Sequence, residues 1–291
     1  MKLYQLRDGD IITVITFAHH KGGTGKTTSC LSIAGFLQKS GEKVLVVDCD
    51  PQANATSGLG VEPDGENLNM YDVFMNVFEG FPDVSIKEII KETSSGIFLA
   101  PSSLDLVGVE PYLYNIDDRL MVLKDALKPV LKDYKWILID TPPSMGQFVL
   151  NGILAADRII LTLDTSIFAK NGIGSITSIF EDINENTGRK RSADMAILTR
   201  AGVLRERKST TEELSGLIKN IFSKDNSESR EQIRQDELEA DIKGIVKEVH
   251  IIPYDAGISE SHIKGLPISH ISPETPAGMA YKKISEIVSK W

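Results

Sequence analysis

The chain has 291 residues, which at about 150 residues per domain suggests two domains, although a single α/β domain of this length is common. Hydrophobic residues make up 41% and charged residues 25%, a globular composition that excludes wholesale disorder, collagen and a long coiled coil. The net charge of -9 argues against a histone-like protein that coats DNA through bulk positive charge, while a local basic patch remains possible.

Cysteine content and hydropathy favour a cytoplasmic protein. The two cysteines, Cys30 and Cys49, can form neither a disulfide framework nor a four-cysteine metal site within one chain, and we interpret both as structural thiols. Residues 1–10 mix charged and apolar side chains, unlike a signal peptide. No apolar run approaches the roughly 20 residues that span a bilayer.

Strand-like and helix-like segments alternate along the chain. Several strand-like runs are continuously apolar, as in strands covered on both faces. The predicted strands are 11–18, 44–47, 97–99, 136–139, 159–163, 195–198 and 249–252, and predicted helices include 28–39, 118–131, 173–183, 211–222 and 277–290. This alternation predicts an α/β fold with one mostly parallel, twisted sheet and helices on both faces.

We expect one domain over residues 1–291. The one shift in composition is at 224–248, where eight acidic and five basic residues surround few apolar ones. Because a predicted strand and helix follow this segment, we interpret it as a charged excursion within the domain, either a solvated helix or an insertion.

A glycine-rich turn follows the first predicted strand and precedes a predicted helix. Such a turn directs backbone amides toward a phosphate, and the start of the helix adds free N–H groups and the positive end of its dipole. Lys26 would reach the β and γ phosphates, and the Thr27 hydroxyl would bind Mg²⁺. The expected ATP-binding residues are Lys21, Gly22, Gly23, Thr24, Gly25, Lys26, Thr27 and Thr28. The preceding His19 and His20 are interpreted as loop packing.

The turn departs from the ordinary phosphate loop, because His20 stands where glycine is usual and a second lysine, Lys21, follows it. The run from Lys21 to Thr27, Lys-Gly-Gly-Thr-Gly-Lys-Thr, resembles the signature of the ParA/MinD family of deviant Walker A ATPases. The resemblance implies a three-layer P-loop NTPase fold. It also implies that Lys21 acts in catalysis by reaching across a dimer to the partner's nucleotide.

Two carboxylates, Asp48 and Asp50, follow the second predicted strand. They lie where open α/β sheets bind ligands, and strand alternation would aim them the same way, toward Mg²⁺ or a water. The alternative is that they cap the next helix, which is more credible for Asp48 than for Asp50. The run Asp-Cys-Asp-Pro-Gln resembles the ParA branch, which implies that Asp50 positions the attacking water.

A third strand end supplies Asp140. Four apolar residues, 136–139, precede it, as expected of a buried central strand that delivers a carboxylate to the Mg²⁺ shell. The segment resembles the family's Walker B motif. The metal-binding candidates are thus Thr27, Asp50 and Asp140.

Two later stretches extend the resemblance over nearly the whole chain. Residues 97–104 are similar to the family's third-strand segment, and 252–267 to the late ParA segment that begins beside the adenine. The implied base contacts are Pro253, Tyr254 and Asp255, although the family usually has a basic residue after this proline. An ordinary turn at the strand exit is the equally weighted alternative.

Basic residues concentrate between Arg189 and Lys208. This segment carries a net charge of +5, which leaves -14 for the rest of the chain. Such a cluster can bind phosphates without regard to sequence and in a salt-dependent way, or it can be a solvated loop. ParA proteins bind nonspecific DNA through this region, so the resemblance favours DNA contacts, with the residues to test being Arg205, Arg207 and Lys208. The family's usual Asp-x-Arg after the preceding strand is absent.

The resemblance implies an ATPase that dimerises with ATP and Mg²⁺, binds nonspecific DNA, partitions DNA or other cargo, and hydrolyses ATP slowly under stimulation by a ParB-like partner. It would be cytoplasmic and nucleoid-associated in the ATP state. One alternative is a MinD-like ATPase on a membrane, but the apolar side chains of residues 281–291 are better explained by core packing. The other is a metabolic P-loop enzyme, which Lys21 and the Asp-Pro-Gln run disfavour.

Overall fold

The computed structural model describes residues 12–19, 21–144, 146–164, 178, 180–181, 183–185, 188, 190–201, 242, 246 and 248–291. The predicted helix at 211–222, most of that at 173–183 and most of the charged segment at 224–248 lie outside these residues.

Within the described residues, eight strands form one sheet in the order β3-β4-β2-β5-β1-β6-β7-β8. Neighbouring strands are parallel except for the edge pair β3 and β4. Their bounds are β1 Thr13–Ala18, β2 Val44–Asp48, β3 Lys91–Glu92, β4 Phe98–Ala100, β5 Trp136–Asp140, β6 Arg158–Asp164, β7 Met195–Ala201 and β8 Glu248–Pro253. Each predicted strand is confirmed to within two residues at either end, except that β7 extends three residues beyond the predicted 195–198, and β3 is an addition.

The helices with defined bounds lie between β1 and β6 and after β8. They are α1 Lys26–Lys39, α2 Asn54–Gly58, α3 Met70–Met75, α4 Ile86–Ile89, α5 Glu110–Leu113, α6 Val122–Leu127, α7 Gln147–Ala155, α8 Ala256–Ile263, α9 Ile268–Ile271 and α10 Pro276–Val288. A 3₁₀ segment, Leu104–Val109, leads into α5. The predicted helix at 118–131 is much shorter as α6, because Pro129 has no amide hydrogen to continue the α-helical hydrogen bonds, and a 3₁₀ turn, Lys128–Val130, follows.

The central strands β1, β2 and β5 are buried on both faces, which explains why their sequences are mostly apolar. Helices α3 to α7 cover one face, and α1, α9 and α10 cover the other. Cys49 packs in the hydrophobic core under α3 to α7, and Cys30 packs in the core formed with α1, α9 and α10. Both cysteines are fully buried. The α/β fold with helices on both faces is confirmed.

The last helix, α10, packs its apolar face into the protein. Tyr281, Ile284 and Val288 are at most 1% exposed, and the Tyr281 hydroxyl lies 3.0 Å from Ser29 Oγ on α1. This burial confirms the interpretation of the C-terminal helix as a core element. Among the helices that the structure describes, none is both long and apolar enough to cross a bilayer.

Candidate functional site

Parallel pairing aligns the ends of the central strands at one edge of the sheet. Asp48 at the end of β2 pairs in register with Asp140 at the end of β5, and Asp140 is also opposite Phe17 near the end of β1. The phosphate loop leaves β1 at this edge. The three motifs that the sequence places far apart therefore meet at one site.

The loop backbone has the geometry expected of an anion site. Gly23 and Gly25 adopt positive φ angles of 76° and 83°, which glycine tolerates at little steric cost. Helix α1 begins at Lys26, two residues before the prediction, with Gly25 as its N-cap. The free N–H groups of the first helical turn thus follow directly on the glycine turn, and their positive dipole end favours a phosphate.

Two threonines that are distant in the sequence, on β6 and β7, form hydrogen bonds that brace this loop. Thr24 Oγ1 lies 3.1 Å from Thr162 Oγ1 on β6, while Thr199 Oγ1 on β7 donates to the Thr24 carbonyl at 3.1 Å. Thr199 also lies so close to Gly25 that a Cβ added at the glycine would approach its methyl carbon to 2.8 Å. Neither brace is predicted from the sequence, because no local spacing relates Thr162 or Thr199 to the loop.

The loop borders a cavity of about 310 Å³ that also receives the second motif. Its lining includes most of the predicted phosphate contacts together with Asp50, whereas Thr24 is buried beneath the loop. The lining residues are Gly22, Gly23, Gly25, Lys26, Thr27, Thr28, Asp50, Asn54, Ser57, Gly58, Pro143 and His262.

Thr27 and Asp140 form a corner suited to a divalent cation. Thr27 Oγ1 donates to Asp140 Oδ2 at 2.6 Å, and the buried Oδ1 of Asp140 has no hydrogen-bond partner among the described residues. Burial raises the pKa of Asp140 well above its usual range, and the nearby Asp48 carboxylate adds to this shift. A hydroxyl and an unsatisfied carboxylate oxygen are ligands that Mg²⁺ prefers, so the corner fits a Mg²⁺ ion accompanying a nucleotide.

Lys26 folds back onto the loop. Its Nζ donates to the Lys21 carbonyl at 3.2 Å, and the side chain borders the cavity. Burial lowers the pKa of Lys26, while the carboxylates of Asp140 and Asp50 act in the opposite direction. The Lys26 ammonium group thus lies near the Asp140 and Asp50 carboxylates and at the cavity. A phosphate bound in the cavity would add a negatively charged partner for this ammonium group.

Asp48 and Asp50 have different roles, in contrast to the expectation that both face the ligand. Asp48 accepts hydrogen bonds from the Thr56 amide and hydroxyl, both at 2.8 Å, and from the Asp50 amide at 3.1 Å. It thus anchors α2 and the turn before it, as in the helix-capping alternative. Burial raises the pKa of Asp48 to about 7 and also raises that of Asp50. Asp50 borders the cavity and accepts from the Gln52 amide at 2.9 Å.

Lys21 makes an ion pair within its own chain. Its Nζ lies 2.6 Å from Asp164 Oδ2 at the end of β6, with the two side chains 35% and 17% exposed. The Lys21 amide donates to His19 Nδ1 at 3.0 Å, which agrees with a loop-packing role for that histidine. His20 lies outside the described residues. Asp164 was missed in the sequence, although its position at a strand end was the available signal.

A second cavity, of about 260 Å³, adjoins the first. All three predicted base contacts, Pro253, Tyr254 and Asp255, line it. Asp255 also caps α8, accepting from the amides of Gly257 at 2.9 Å and Ala277 at 3.1 Å, which lowers its pKa against the effect of burial. Its carboxylate thus shapes the cavity wall by fixing α8.

The predicted DNA contacts Arg205, Arg207 and Lys208 lie outside the described residues. Of the basic segment, Lys190 is exposed, and Arg191 donates to the Leu154 carbonyl at 3.2 Å. Strand β7 ends at Ala201, just before the predicted contacts.

Comparison with known sequences agrees with these motifs. A family model described as AAA domain matches residues 12–193, more than half of the chain. The chain is 33% identical over 187 residues to the chromosome partitioning protein ParA of Myxococcus xanthus, a match that covers 64% of each chain. It is 29% identical over 278 residues to the chromosome-partitioning ATPase Soj of Treponema pallidum, covering 95% of this chain and 97% of Soj.

Solved structures share the fold. A substituted McdA from Cyanothece in complex with ATP has a TM-score of 0.72 at 20% identity, covering 97% of this chain and 98% of McdA. Cobyrinic acid a,c-diamide synthase from Mycobacterium smegmatis, with a bound ATP analogue and magnesium, has a TM-score of 0.69 at 24% identity, covering 96% of this chain and 95% of the synthase. These structures share the fold, while the family-model match, the sequence relatives and the loop from Lys21 to Thr27 show that the chain belongs to the ParA/MinD family of deviant Walker A ATPases.

Proposed function

We propose that this protein is a partitioning or positioning ATPase that binds ATP with Mg²⁺ as a single domain and hydrolyses it slowly. The observation that carries the proposal is the convergence of the glycine loop, Lys26 and Asp50 on one cavity, which Thr27 also borders while its hydroxyl donates to the buried Asp140. Its likeness to ParA and Soj supports the partitioning role.

Each residue has a defined task in this proposal. The loop amides and Lys26 hold the phosphates, and Thr27 and Asp140 hold Mg²⁺, which would stabilise charge on the phosphate oxygens when bound. Asp50 positions the attacking water. It is suited to this task because it borders the cavity while its Oδ1 is fixed by the Gln52 amide, which leaves Oδ2 to orient a water. Phosphoryl transfer depends mainly on positioning and charge, so one oriented carboxylate has a large effect.

Lys21 would act in a homodimer, at the nucleotide of the partner subunit. To do so its ammonium group must leave Asp164. The pair is partly exposed, so the exchange is inexpensive once a phosphate competes for the lysine. Normal ATP-dependent dimerisation of a Lys21→Ala protein would contradict this role.

The ATP-bound dimer would bind nonspecific DNA in the cytoplasm, on the nucleoid, and release it after hydrolysis stimulated by a ParB-like or other adaptor protein. The charge of the 189–208 segment supports this step. Replacing Arg205, Arg207 and Lys208 by alanine should flatten the salt dependence of DNA binding and leave nucleotide binding intact. Unchanged DNA affinity would place the DNA interface elsewhere.

The decisive experiment uses an Asp50→Ala protein, expected to bind ATP and hydrolyse it poorly. Its sedimentation is compared with duplex DNA and with anionic liposomes, in ATP and in ADP. Asp83→Ala is a matched control, because this exposed carboxylate borders neither cavity. Capture by DNA only in ATP supports the proposal, capture by liposomes alone indicates a MinD-like role, and capture by neither favours a protein-cargo switch or a metabolic enzyme.

A further inference from the structure

His262 lies where the two cavities of the nucleotide site meet. The phosphate cavity and the second cavity share three lining residues, Gly25, Thr28 and His262. Gly25 and Thr28 belong to the loop and the first turn of α1, so His262, near the end of α8, forms the opposite wall of the passage. Of the three shared residues, Thr28 and His262 have side chains that can donate a hydrogen bond to a ligand.

The geometry brings the imidazole to the start of α1. His262 Nε2 lies 3.4 Å from Thr28 Oγ1, although the two residues are 234 positions apart in the chain. Its neighbour Ser261 is buried and donates to the Ile258 carbonyl within α8 at 2.8 Å. The imidazole thus stands at the cavity junction on a helix that Asp255 caps.

In the proposed function, a nucleotide places its β and γ phosphates in the first cavity and its base in the second. The part that must pass through the junction is the α-phosphate with the 5′ end of the ribose. An anion there meets the free amides at the start of α1, the Thr28 hydroxyl and the His262 imidazole together. Of the two groups, the phosphate offers the stronger acceptor to an imidazole N–H.

We infer that His262 binds the α-phosphate of the nucleotide, its Nε2 donating to an oxygen that also lies against Thr28, and so connects α8 to α1. This inference rests on the proposed nucleotide function. Because ATP and ADP share the α-phosphate, His262 contributes equally to both affinities and does not sense the γ-phosphate. Its contact retains the nucleotide through hydrolysis and slows release of the product ADP.

The test measures ADP and ATP-analogue binding by titration calorimetry for the wild-type, His262→Ala and His262→Gln proteins. Loss of one hydrogen bond to a charged group should raise both dissociation constants about tenfold in the alanine protein. Glutamine, whose amide nitrogen can replace Nε2, should recover most of the affinity. Ile263→Ala is the matched control, since Ile263 is 86% exposed, adjoins His262 and borders neither cavity.

A second ligand, 2′-deoxy-ADP, separates the phosphate from the ribose 2′-hydroxyl as the contact. The alanine substitution should weaken ADP and 2′-deoxy-ADP by the same factor. If it weakens ADP only, His262 binds the 2′-hydroxyl and the α-phosphate assignment is wrong. Equal affinities of wild-type and His262→Ala for ADP would also overturn the inference, whereas a wild-type protein that binds no adenine nucleotide would overturn the proposed function itself.

Discussion

The ion pair between Lys21 and Asp164 gives a quantitative test of the proposed dimer. An Asp164→Asn substitution keeps the shape of the side chain and removes the charge that holds Lys21 at 2.6 Å. A pair with this partial exposure is worth about 0.5–1 kcal/mol. If Lys21 must leave Asp164 in both subunits, formation of the wild-type dimer breaks this pair twice, at a cost of about 1–2 kcal/mol. The Asp164→Asn protein does not have this cost and should self-associate about 5- to 30-fold more tightly.

Sedimentation velocity with a non-hydrolysable ATP analogue would measure this change as a lower dimer dissociation constant. Glu42→Gln is a suitable control, because Glu42 and Lys135 form a pair at 3.0 Å with similar exposure, 31% and 27%, and neither residue borders the two cavities. The control should leave self-association unchanged. If Asp164→Asn protein dimerises no more tightly than wild type, Lys21 does not exchange Asp164 for a ligand across the dimer, and the reasoning is refuted.

Three further predictions concern the loop and the buried carboxylates. Gly25→Ala should lower the free energy of unfolding by about 2–4 kcal/mol in urea titrations, because φ is 83° and the added Cβ would approach the Thr199 methyl carbon to 2.8 Å. An unchanged midpoint would show that the loop relaxes freely. In the Thr27→Val protein, the factor by which Mg²⁺ increases ATP affinity should be at least about tenfold smaller than in wild type, while the ATP affinity measured in EDTA should stay the same. Equal Mg²⁺ dependence would contradict the assignment of Thr27. Burial raises the pKa of Asp48 from 3.8 to about 7, and that of Asp140 well above its usual range, so the folded protein binds more protons than the unfolded chain between about pH 4 and 7. The free energy of unfolding should therefore fall as pH rises through this window, by about 1.4 kcal/mol per pH unit for each such group, and a rise would refute the burial argument.

The sequence could predict the sheet because burial on both faces leaves a direct signal. Strands such as Val44–Asp48 and Trp136–Asp140 are uninterrupted apolar runs that end in an acid, and both the run and its end are local features. The phosphate loop is equally local, since glycine, lysine and threonine are adjacent in the chain. These elements were therefore predicted nearly residue by residue.

The residues that the prediction missed act across the sheet. Thr162, Thr199 and Asp164 reach the loop from β6 and β7, and His262 reaches it from α8. Their contacts depend on strand order, which places β6 beside β1 and β7 beside β6. Strand order is a tertiary property without a local sequence signal, so the strand-end position of Asp164 could indicate a carboxylate near the ligand but not its pairing with Lys21.

The loop combines a fixed backbone with side chains whose partners can be exchanged. The glycine angles and the threonine braces hold the backbone in an anion-binding geometry, so a phosphate need not reorganise it. The ammonium groups, in contrast, have partners in the protein, since Lys26 donates to the Lys21 carbonyl and Lys21 pairs with Asp164. We therefore expect ligand binding to change side-chain pairing more than backbone shape. Lys26 donates to the backbone carbonyl of Lys21. A phosphate that draws Lys26 away would therefore also change the hydrogen bonding of Lys21. The two lysines thus link nucleotide occupancy to the group proposed to reach the partner subunit, as a switch operated by ATP requires.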